Sequence, residues 1–343
     1  MPKTRMFVCV VSGMLLAVMA ACVGDEAGST GRNPEDGGQD TSTSGDSGTD
    51  GQTTDGAIPS DAGTDAPACN PTAAFGTPTA VPGDVNGMAQ DDGFWFLPDQ
   101  LTIFTSSTRV VDGGVGGYDI FTGTRASVSV PFSKLTLAAT VSTDGDDRAP
   151  VVTADAKTLY FTRNPSPSGT FHVYVATRTS ASVAFDPPQL AAFPLNDTTN
   201  DFVSWVSPFD PSGNYRVYSS SDRPGTANFD LFVSVRSSGG FITHDPIPSL
   251  NSPMQDTKVV MTPDELQAFV SSNRTSGGNQ DLFYASRSDT SQGFSNPTRI
   301  DELSTNADDL PMWVTPDGCT LYFSSTRAGG SGGADVFVAS RGK

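Results

Sequence analysis

The segment TPDGCTLYFSSTR, residues 315–327, decides the fold of this chain, together with the motif DVFVAS at residues 335–340. Pro316, Asp317 and Gly318 are a turn signature, because proline fixes its own φ and glycine accepts a positive φ. Apolar and polar residues alternate from Thr320 to Ser324, which is the period of a half-buried β-strand. The segment therefore predicts three successive strands, over residues 310–315, 320–324 and 335–340.

The same unit is written five times along the chain. Each copy carries one arginine after its second strand and another after its third. The first arginines are Arg109, Arg163, Arg223, Arg274 and Arg327, and the second arginines are Arg125, Arg178, Arg236, Arg287 and Arg341. Successive second arginines are 53, 58, 51 and 54 residues apart. A period of this length indicates β-repeats such as propeller blades.

A fourth strand is predicted after the second arginine of the first four copies, over residues 132–137, 185–191, 241–248 and 294–300. The fifth copy has no such segment before Lys343. The N-terminal segment AFGTPTAV, residues 74–81, matches GFSNPTRI, residues 293–300, and can supply the missing strand. We therefore predict an all-β, five-bladed β-propeller of four-stranded blades, closed by the N-terminal strand, which leaves no open sheet edge.

The cysteines agree with this closure. Cys69 directly precedes the N-terminal strand and Cys319 begins the second strand of the last copy, so the ring model places both in one blade. Because an exported protein meets an oxidising compartment, we predict a disulfide between them. Two unrelated thiols are the alternative.

Residues 262–264, 315–327 and 117–121 resemble the WD40-like propeller repeats of TolB-type periplasmic proteins. The resemblance covers residues 74–343 and implies a propeller used for protein or ligand binding at the bacterial envelope. The second copy departs from the pattern, because His172 replaces the aspartate found as Asp119, Asp230, Asp281 and Asp335.

The N-terminus predicts a lipoprotein. Residues 1–21 combine Lys3 and Arg5 with an apolar stretch, as in an export signal. The small residues before Cys22 resemble a lipobox, which implies lipidation of that cysteine; ordinary secretion is the alternative. Val23 after the cysteine favours the outer membrane over the inner one. Residues 22–68 are a Gly/Ser/Thr/Asp-rich acidic linker with ten acids and one base, a composition that is typical of disorder.

The predicted propeller, residues 69–343, carries 28 acidic and 17 basic residues. Because it has no basic stripe, we expect no binding to nucleic acid. We expect a monomer whose partner is an envelope protein or a glycan, bound at one face of the propeller.

An aspartate precedes the first strand of every copy, namely Asp91, Asp147, Asp201, Asp256 and Asp309. We call these five the repeat aspartates, and we expect them to form an acid ring near the central channel. We favour ion pairing with a repeat arginine, or capping of backbone amides, as their role. A Ca²⁺ site is the alternative, because hard cations prefer several oxygen ligands. Otherwise no cofactor is expected.

Two further positions repeat. In each hairpin we expect the first arginine to pair with the aspartate opening the third strand, as in Arg274 with Asp281. Trp95, Trp205 and Trp313 share one position in the first strand. We interpret them as packing between blades, with ligand stacking as the alternative.

Function is less determined than fold. The near-uniform copies favour a non-catalytic binding module. The alternative is a carbohydrate-active enzyme, which needs two carboxylates roughly 5–10 Å apart. His172 and His244 lie in different copies, and the repeat aspartates have a counterpart in every copy. A carboxylate without repeat counterparts, deep in the channel and with a raised pKa, would favour the enzyme.

Overall fold

The computed structural model describes residues 69–110, 113–166, 169–226, 228–275 and 278–342. Within these residues the secondary structure is all β, and no α-helix occurs. Consistently, none of the described segments forms a helix long and apolar enough to cross a membrane. The predicted signal peptide (1–21), the lipidation site Cys22 and the linker (22–68) lie outside the described residues.

The strands are numbered here in chain order. They are β1 (Thr79–Ala80), β2 (Asp91–Phe96), β3 (Thr102–Ser107), β4 (Asp119–Thr124), β5 (Thr136–Leu137), β6 (Asp146–Val152), β7 (Thr158–Asn164), β8 (His172–Thr177), β9 (Gln189–Leu190), β10 (Asp201–Val206), β11 (Tyr215–Ser221), β12 (Asp230–Ser237), β13 (Gly240–Phe241), β14 (Asp245–Pro246), β15 (Asp256–Met261), β16 (Gln267–Ser272), β17 (Asp281–Ser286), β18 (Thr298–Arg299), β19 (Asp309–Val314), β20 (Thr320–Ser325) and β21 (Asp335–Ser340).

These strands form five antiparallel sheets, one per predicted blade. Blades 1, 2 and 4 have the orders β2-β3-β4-β5, β6-β7-β8-β9 and β15-β16-β17-β18. Blade 3 has the order β10-β11-β12, with both short strands β13 and β14 paired to β12. Blade 5 has the order β19-β20-β21-β1. The innermost strands β2, β6, β10, β15 and β19 contact one another in a closed cycle. The chain is therefore the predicted five-bladed β-propeller.

One hydrogen bond joins each pair of neighbouring blades at the start of the innermost strand. The amide of each repeat aspartate donates to the carbonyl of the residue just before the third strand of the preceding blade. The five bonds are Asp147–Tyr118 (2.7 Å), Asp201–Phe171 (2.9 Å), Asp256–Phe229 (2.8 Å), Asp309–Gln280 (2.8 Å) and Asp91–Ala334 (2.7 Å). The last of them joins blade 5 to blade 1, so the cycle closes with the same contact that links the other blades.

The closing blade is completed from the N-terminal side. Thr79 and Ala80 pair with Val338 and Phe337, and Phe75 forms an isolated bridge with Arg341. Cys69 and Cys319 form a disulfide with a Cα–Cα distance of 5.6 Å across 250 residues of sequence. The predicted disulfide is thus present, in the blade where the sequence placed it.

The fourth strands are shorter than predicted. In each blade only two-residue segments pair with the third strand, for example Thr298–Arg299 and Thr79–Ala80. A proline precedes both of these segments, Pro297 and Pro78. Because proline has no N–H to donate, it is confined to edge strands and interrupts the ladder. The outer edge of each blade is therefore mostly an extended segment rather than a regular strand.

The turns between the first and second strands share a backbone conformation. The residue two positions before the second strand has a positive φ in every blade: Gln100 (58°), Ala156 (59°), Gly213 (78°), Glu265 (58°) and Gly318 (69°). Glycine adopts this region without strain, whereas other residues pay a conformational cost. The turn signature read at Gly318 therefore applies to all five copies, although only two of them have glycine.

Candidate functional site

The repeat aspartates lie inside the blades rather than on an open channel surface. All five have no solvent exposure. Each accepts a hydrogen bond from the first arginine of its own blade, in the pairs Asp91–Arg109 (2.7 Å), Asp147–Arg163 (2.6 Å), Asp201–Arg223 (2.7 Å), Asp256–Arg274 (2.5 Å) and Asp309–Arg327 (2.6 Å). Burial raises the pKa of the Asp147 and Asp201 carboxyls, while their arginines act in the opposite direction.

The second oxygen of each repeat aspartate caps the connection that enters its blade. It accepts from the amide four residues upstream, in the pairs Asp91–Gly87 (2.7 Å), Asp147–Thr143 (2.8 Å), Asp201–Asp197 (2.9 Å), Asp256–Ser252 (2.6 Å) and Asp309–Thr305 (2.8 Å). Both oxygens are thus engaged within the protein. Across the described ranges, no group of three or more His, Cys, Asp or Glu side chains is arranged to hold a metal ion. The repeat aspartates therefore form the ion pairs and backbone caps that were favoured for them.

The predicted pairing across each hairpin is wrong. Arg274 donates to Asp256, whereas Asp281 accepts from Thr275 and from Arg299 at 2.9 Å. In blades 1 and 5 the corresponding Asp119 and Asp335 cap amides of their own loops. Each repeat aspartate has no solvent exposure, and without its arginine it would be an uncompensated buried charge, which costs several kcal/mol.

The central axis holds a cavity of about 270 Å³ at the N-terminal ends of the innermost strands, and all five blades line it. We call it the axial cavity. The residue that follows each repeat aspartate lines its wall, and this position differs in every blade: Asp92, Arg148, Phe202, Thr257 and Leu310. The next position adds Lys258 in blade 4 and Val203 in blade 3. The repeat symmetry that governs the blades is therefore broken where the cavity begins.

Asp92 is the one carboxylate among the described residues that line the axial cavity. Its side chain keeps 25% of its surface exposed and accepts a hydrogen bond of 3.1 Å from Ser106 Oγ. Arg148 lies 3.7 Å away. Burial at the bottom of the cavity raises the pKa of the Asp92 carboxyl, which Arg148, Ser106 and Tyr118 partly offset. Gly93 makes this arrangement possible, because a Cβ there would collide with Ser106 Oγ.

Arg148 is held on all sides. Its guanidinium donates to Asp146 at 3.0 Å and lies 3.8 Å from the centre of the Tyr118 ring. The Phe171 ring is 5.6 Å away on the same side. Such stacking and pairing fix the orientation of an arginine. With carboxylates of Asp146 and Asp92 both nearby, the positive charge of Arg148 is compensated within the protein.

Lys258 is different. Only 7% of the residue is exposed, yet no carboxylate oxygen of the described chain lies within 4.0 Å of its ammonium group. Burial lowers the pKa of Lys258 to about 8, and the more distant Asp92 acts in the opposite direction. The neighbouring wall is apolar, with Phe202, Leu310 and Met312. Lys258 is thus a buried cation facing the cavity without a charged partner in contact.

An aromatic arc borders one side of the axial cavity. Phe202 lies 4.9 Å from Phe171 and 5.7 Å from Phe229, measured between ring centres. Phe171 and Phe229 occupy the position of Tyr118 in their own blades, just before the third strand, and each accepts the inter-blade hydrogen bond described above. The contacts that hold the blades together therefore also position the aromatic side of the cavity.

The three tryptophans lie at the opposite end of the axis. Trp95, Trp205 and Trp313 are 5–7% exposed and share one register position, opposite Phe104, Tyr218 and Tyr322. They line a second cavity of about 80 Å³ with Pro98, Pro208, Pro263 and Pro316. Their burial agrees with packing between blades as their main role. His172 and His244 line neither cavity.

The sequence alone did not single out Asp92, Arg148 or Lys258. The repeat alignment contained the signal, because these residues immediately follow the repeat aspartates at a position where the five copies share nothing. The residues that repeat in all five copies are the structural ones, whereas the axial cavity is lined by residues that differ from copy to copy. Glu265, one of the two glutamates in residues 69–343, is instead paired with Arg216 at 2.6 Å in a turn.

Comparison with known proteins agrees on the fold. No protein-family model and no curated protein matches the sequence. Among solved structures, a protein of unknown function from Dyadobacter fermentans is 10% identical, with a TM-score of 0.50, over 80% of this chain and 100% of that one. A thermostable family-43 glycoside hydrolase is 15% identical (TM-score 0.48; 77% of this chain, 92% of that one). A protein described as a TolB candidate from Agrobacterium tumefaciens is 14% identical (TM-score 0.44; 74% and 83%).

At such identities these likenesses concern architecture alone. Fold and site together define the class: this chain is a five-bladed β-propeller with an axial cavity whose lining departs from the repeat.

Proposed function

We propose that this protein is a lipid-anchored lipoprotein of the bacterial envelope whose propeller binds a ligand, or a group of a partner molecule, in the axial cavity without turning it over. The anchoring part rests on the sequence of residues 1–22. The binding part rests on one observation: five near-identical blades present five different side chains to the cavity, from Asp92 to Leu310. A purely structural propeller has no need of such differences.

The carboxyl groups at the axial cavity favour binding without chemical turnover. Hydrolysis of a glycosidic bond requires two carboxyl groups flanking the bond, one of them as acid or base. Among the described residues that line the cavity, Asp92 alone carries a carboxyl group. Asp146, which is not among the residues that line the cavity, accepts hydrogen bonds from Arg148 and from the Tyr118 amide. A binding site needs no second free carboxylate.

A glycan-cleaving enzyme is the second candidate, and Asp92 is the observation that favours it. This carboxyl has no repeat counterpart, lies on the axis and has a raised pKa, which is the behaviour of a general acid. The two candidates share the cavity and differ in whether the bound molecule is changed.

Two measurements on the purified protein test the proposal. Envelope extracts and a glycan panel are screened for binding, with Thr257→Trp as a cavity-filling variant and Lys157→Met as an exposed control. We expect binding that Thr257→Trp abolishes and the control retains. Release of new reducing ends from a bound glycan, lost in Asp92→Asn, would replace the binding module by the enzyme. Binding that is indifferent to Thr257→Trp would place the site elsewhere.

A further inference from the structure

We propose that the ligand of the axial cavity carries an anionic group, a carboxylate on a small apolar or aromatic body, and that Lys258 binds this group. The inference rests on the proposed binding function and names the class of molecule bound. It starts from the three charged side chains on the cavity wall, of which two already satisfy each other.

Arg148 and Asp92 already have partners within the protein. Arg148 donates to Asp146 and stacks on the Tyr118 ring, so its charge is paired and one face of its guanidinium plane is covered. Asp92 accepts from Ser106 and faces Arg148. An incoming ligand gains little from either group unless it displaces a contact that is already made.

The ammonium group of Lys258 has no charged partner in contact among the described residues. An ammonium group on a nearly buried side chain is poorly stabilised when no protein group pairs with it, because burial reduces its hydration and no protein hydrogen bond replaces what is lost. Lys258 Nζ forms no hydrogen bond with a described residue, and no carboxylate oxygen of the described residues lies within 4.0 Å of it. An anionic group placed against the ammonium supplies both the missing charge and the missing acceptor, and charge-assisted hydrogen bonds are the strong ones.

The other residues of the cavity wall indicate the size and polarity of the uncharged part of the ligand. Phe202, Phe229, Leu310 and Met312 present apolar surface to the same cavity as Lys258. The volume of about 270 Å³ lies near the lower end of the roughly 300–1,000 Å³ typical of small-molecule pockets. These features fit a small, largely apolar body with one charge, to which Ser220, Gln255 and Thr257 on the same wall can add hydrogen bonds.

Matched probes test the inference on the purified full chain. Phenylacetate, the neutral phenylacetamide and the cationic phenethylamine have similar shapes and differ in charge. Affinities are measured by ligand-observed NMR at millimolar probe concentrations, the range expected for ligands of about ten heavy atoms. We expect the order phenylacetate, then phenylacetamide, then phenethylamine, with roughly a tenfold step or more between the first two.

Lys258→Met keeps the length and apolar stem of the side chain and removes the charge. We expect it to weaken phenylacetate binding by about 10- to 100-fold and to change phenylacetamide binding by less than about threefold. Lys157→Met, at an exposed position away from the cavity, is the control and should change neither. Circular dichroism of both variants checks that they remain folded.

The other outcomes are decisive as well. Equal binding of phenylacetate and phenylacetamide, unaffected by Lys258→Met but lost in Thr257→Trp, would overturn the anion inference and leave the binding proposal intact. Preference for phenethylamine would assign the charge recognition to Asp92 and overturn the inference. No binding of any probe would also overturn it, and the binding proposal would then stand or fall on the extract and glycan screen.

Discussion

The guanidinium carbon of Arg341 lies 4.8 Å from the centre of the Phe75 ring, although these residues come from opposite ends of the domain. Each other second arginine makes the same contact with the phenylalanine of its own blade, in the pairs Arg125–Phe132, Arg178–Phe185, Arg236–Phe241 and Arg287–Phe294. The N-terminal segment therefore supplies blade 5 with a part that the other blades carry in sequence. Ring closure is built from a repeat contact, and the disulfide adds a covalent link to it.

Removing the disulfide should weaken the whole ring. The Cys69–Cys319 bridge spans 250 residues, and in the chain-entropy model such a loop contributes up to about 5 kcal/mol to the free energy of unfolding. We expect Cys69→Ser and Cys319→Ser to cost the same amount singly or together, because either one breaks the same bond. Urea unfolding monitored by tryptophan fluorescence measures this. A double variant that is as stable as the unmutated protein would show that the outer-strand contacts alone hold the ring closed.

Breaking one repeat ion pair should be more costly than losing a surface charge. In Arg274→Met, Asp256 would remain fully buried without its arginine, and such losses typically amount to about 3–5 kcal/mol. The double variant Arg274→Met/Asp256→Asn should recover part of the loss, because no net charge is then left buried. Lys157→Met is the exposed control, with an expected change below about 0.5 kcal/mol. A double-mutant cycle from urea midpoints gives the coupling; additive losses would argue against a direct pair.

The turn conformation predicts an asymmetry between two glycines. Gly318 has a φ of 69°, and a Cβ there would press against the Gln267 side chain. We expect Gly318→Ala to lower the free energy of unfolding by about 1–2 kcal/mol. Gly342 has open space around it, so Gly342→Ala is the matched control and should be close to neutral. Equal thermal midpoints for the two variants would contradict the account of the turn.

Much of this fold is readable in the sequence because repetition multiplies a weak signal. A single TPDG turn or a single Arg at the end of a strand predicts little, but five copies at one spacing predict blades and their number. The fourth strands were overestimated, since Pro78 and Pro297 interrupt the pairing that the alternation suggested. The arginine partner was misassigned, because Asp256 and Asp281 are both buried and the spacing along the chain does not show which of them lies against Arg274 in the folded hairpin.

The residues of the axial cavity could not be identified from the sequence, for a related reason. Asp92 and Lys258 belong to blades 1 and 4, and only closure of the ring brings them to one cavity. In the sequence they are single charged residues beside a repeated aspartate. Their unusual pKa values arise from burial at the axis, which is a property of the assembled ring and of no single blade.

The lipid anchor is testable apart from the propeller. If Cys22 is acylated, the protein made in a bacterial host should incorporate radiolabelled palmitate and partition into the detergent phase of Triton X-114. Acyl chains contribute about 0.8 kcal/mol per buried methylene, which explains the expected partitioning. Cys22→Ser should lose both properties, and Cys9→Ser should keep them. Labelling that persists in Cys22→Ser would remove the lipoprotein assignment.

Finally, Lys258 should make the stability depend on pH in a defined window. The folded-state pKa of about 8 lies below the unfolded value of about 10.4, so between these pH values the unfolded chain binds more protons than the folded one. Stability should therefore rise with pH from about 8 to 10, by roughly 2–3 kcal/mol from this group alone. Lys258→Met should be the more stable protein at pH 7, and its advantage should shrink as the pH rises.

The other groups facing Lys258 set the limits of this measurement. Burial raises the pKa of the Asp92 carboxyl, and the charge of Arg148 partly offsets this effect. Burial, followed by the Asp92 charge, raises the pKa of Tyr118. Ionisation of Tyr118 would therefore lower the stability of the folded protein above pH 10, and the two proteins are compared only below that pH. Urea unfolding of both proteins at pH 7.5, 8.5 and 9.5 is sufficient. A stability difference that stays constant across these pH values would mean that the Lys258 ammonium is solvated in the folded protein, and the unpaired cation from which anion binding was inferred would not exist.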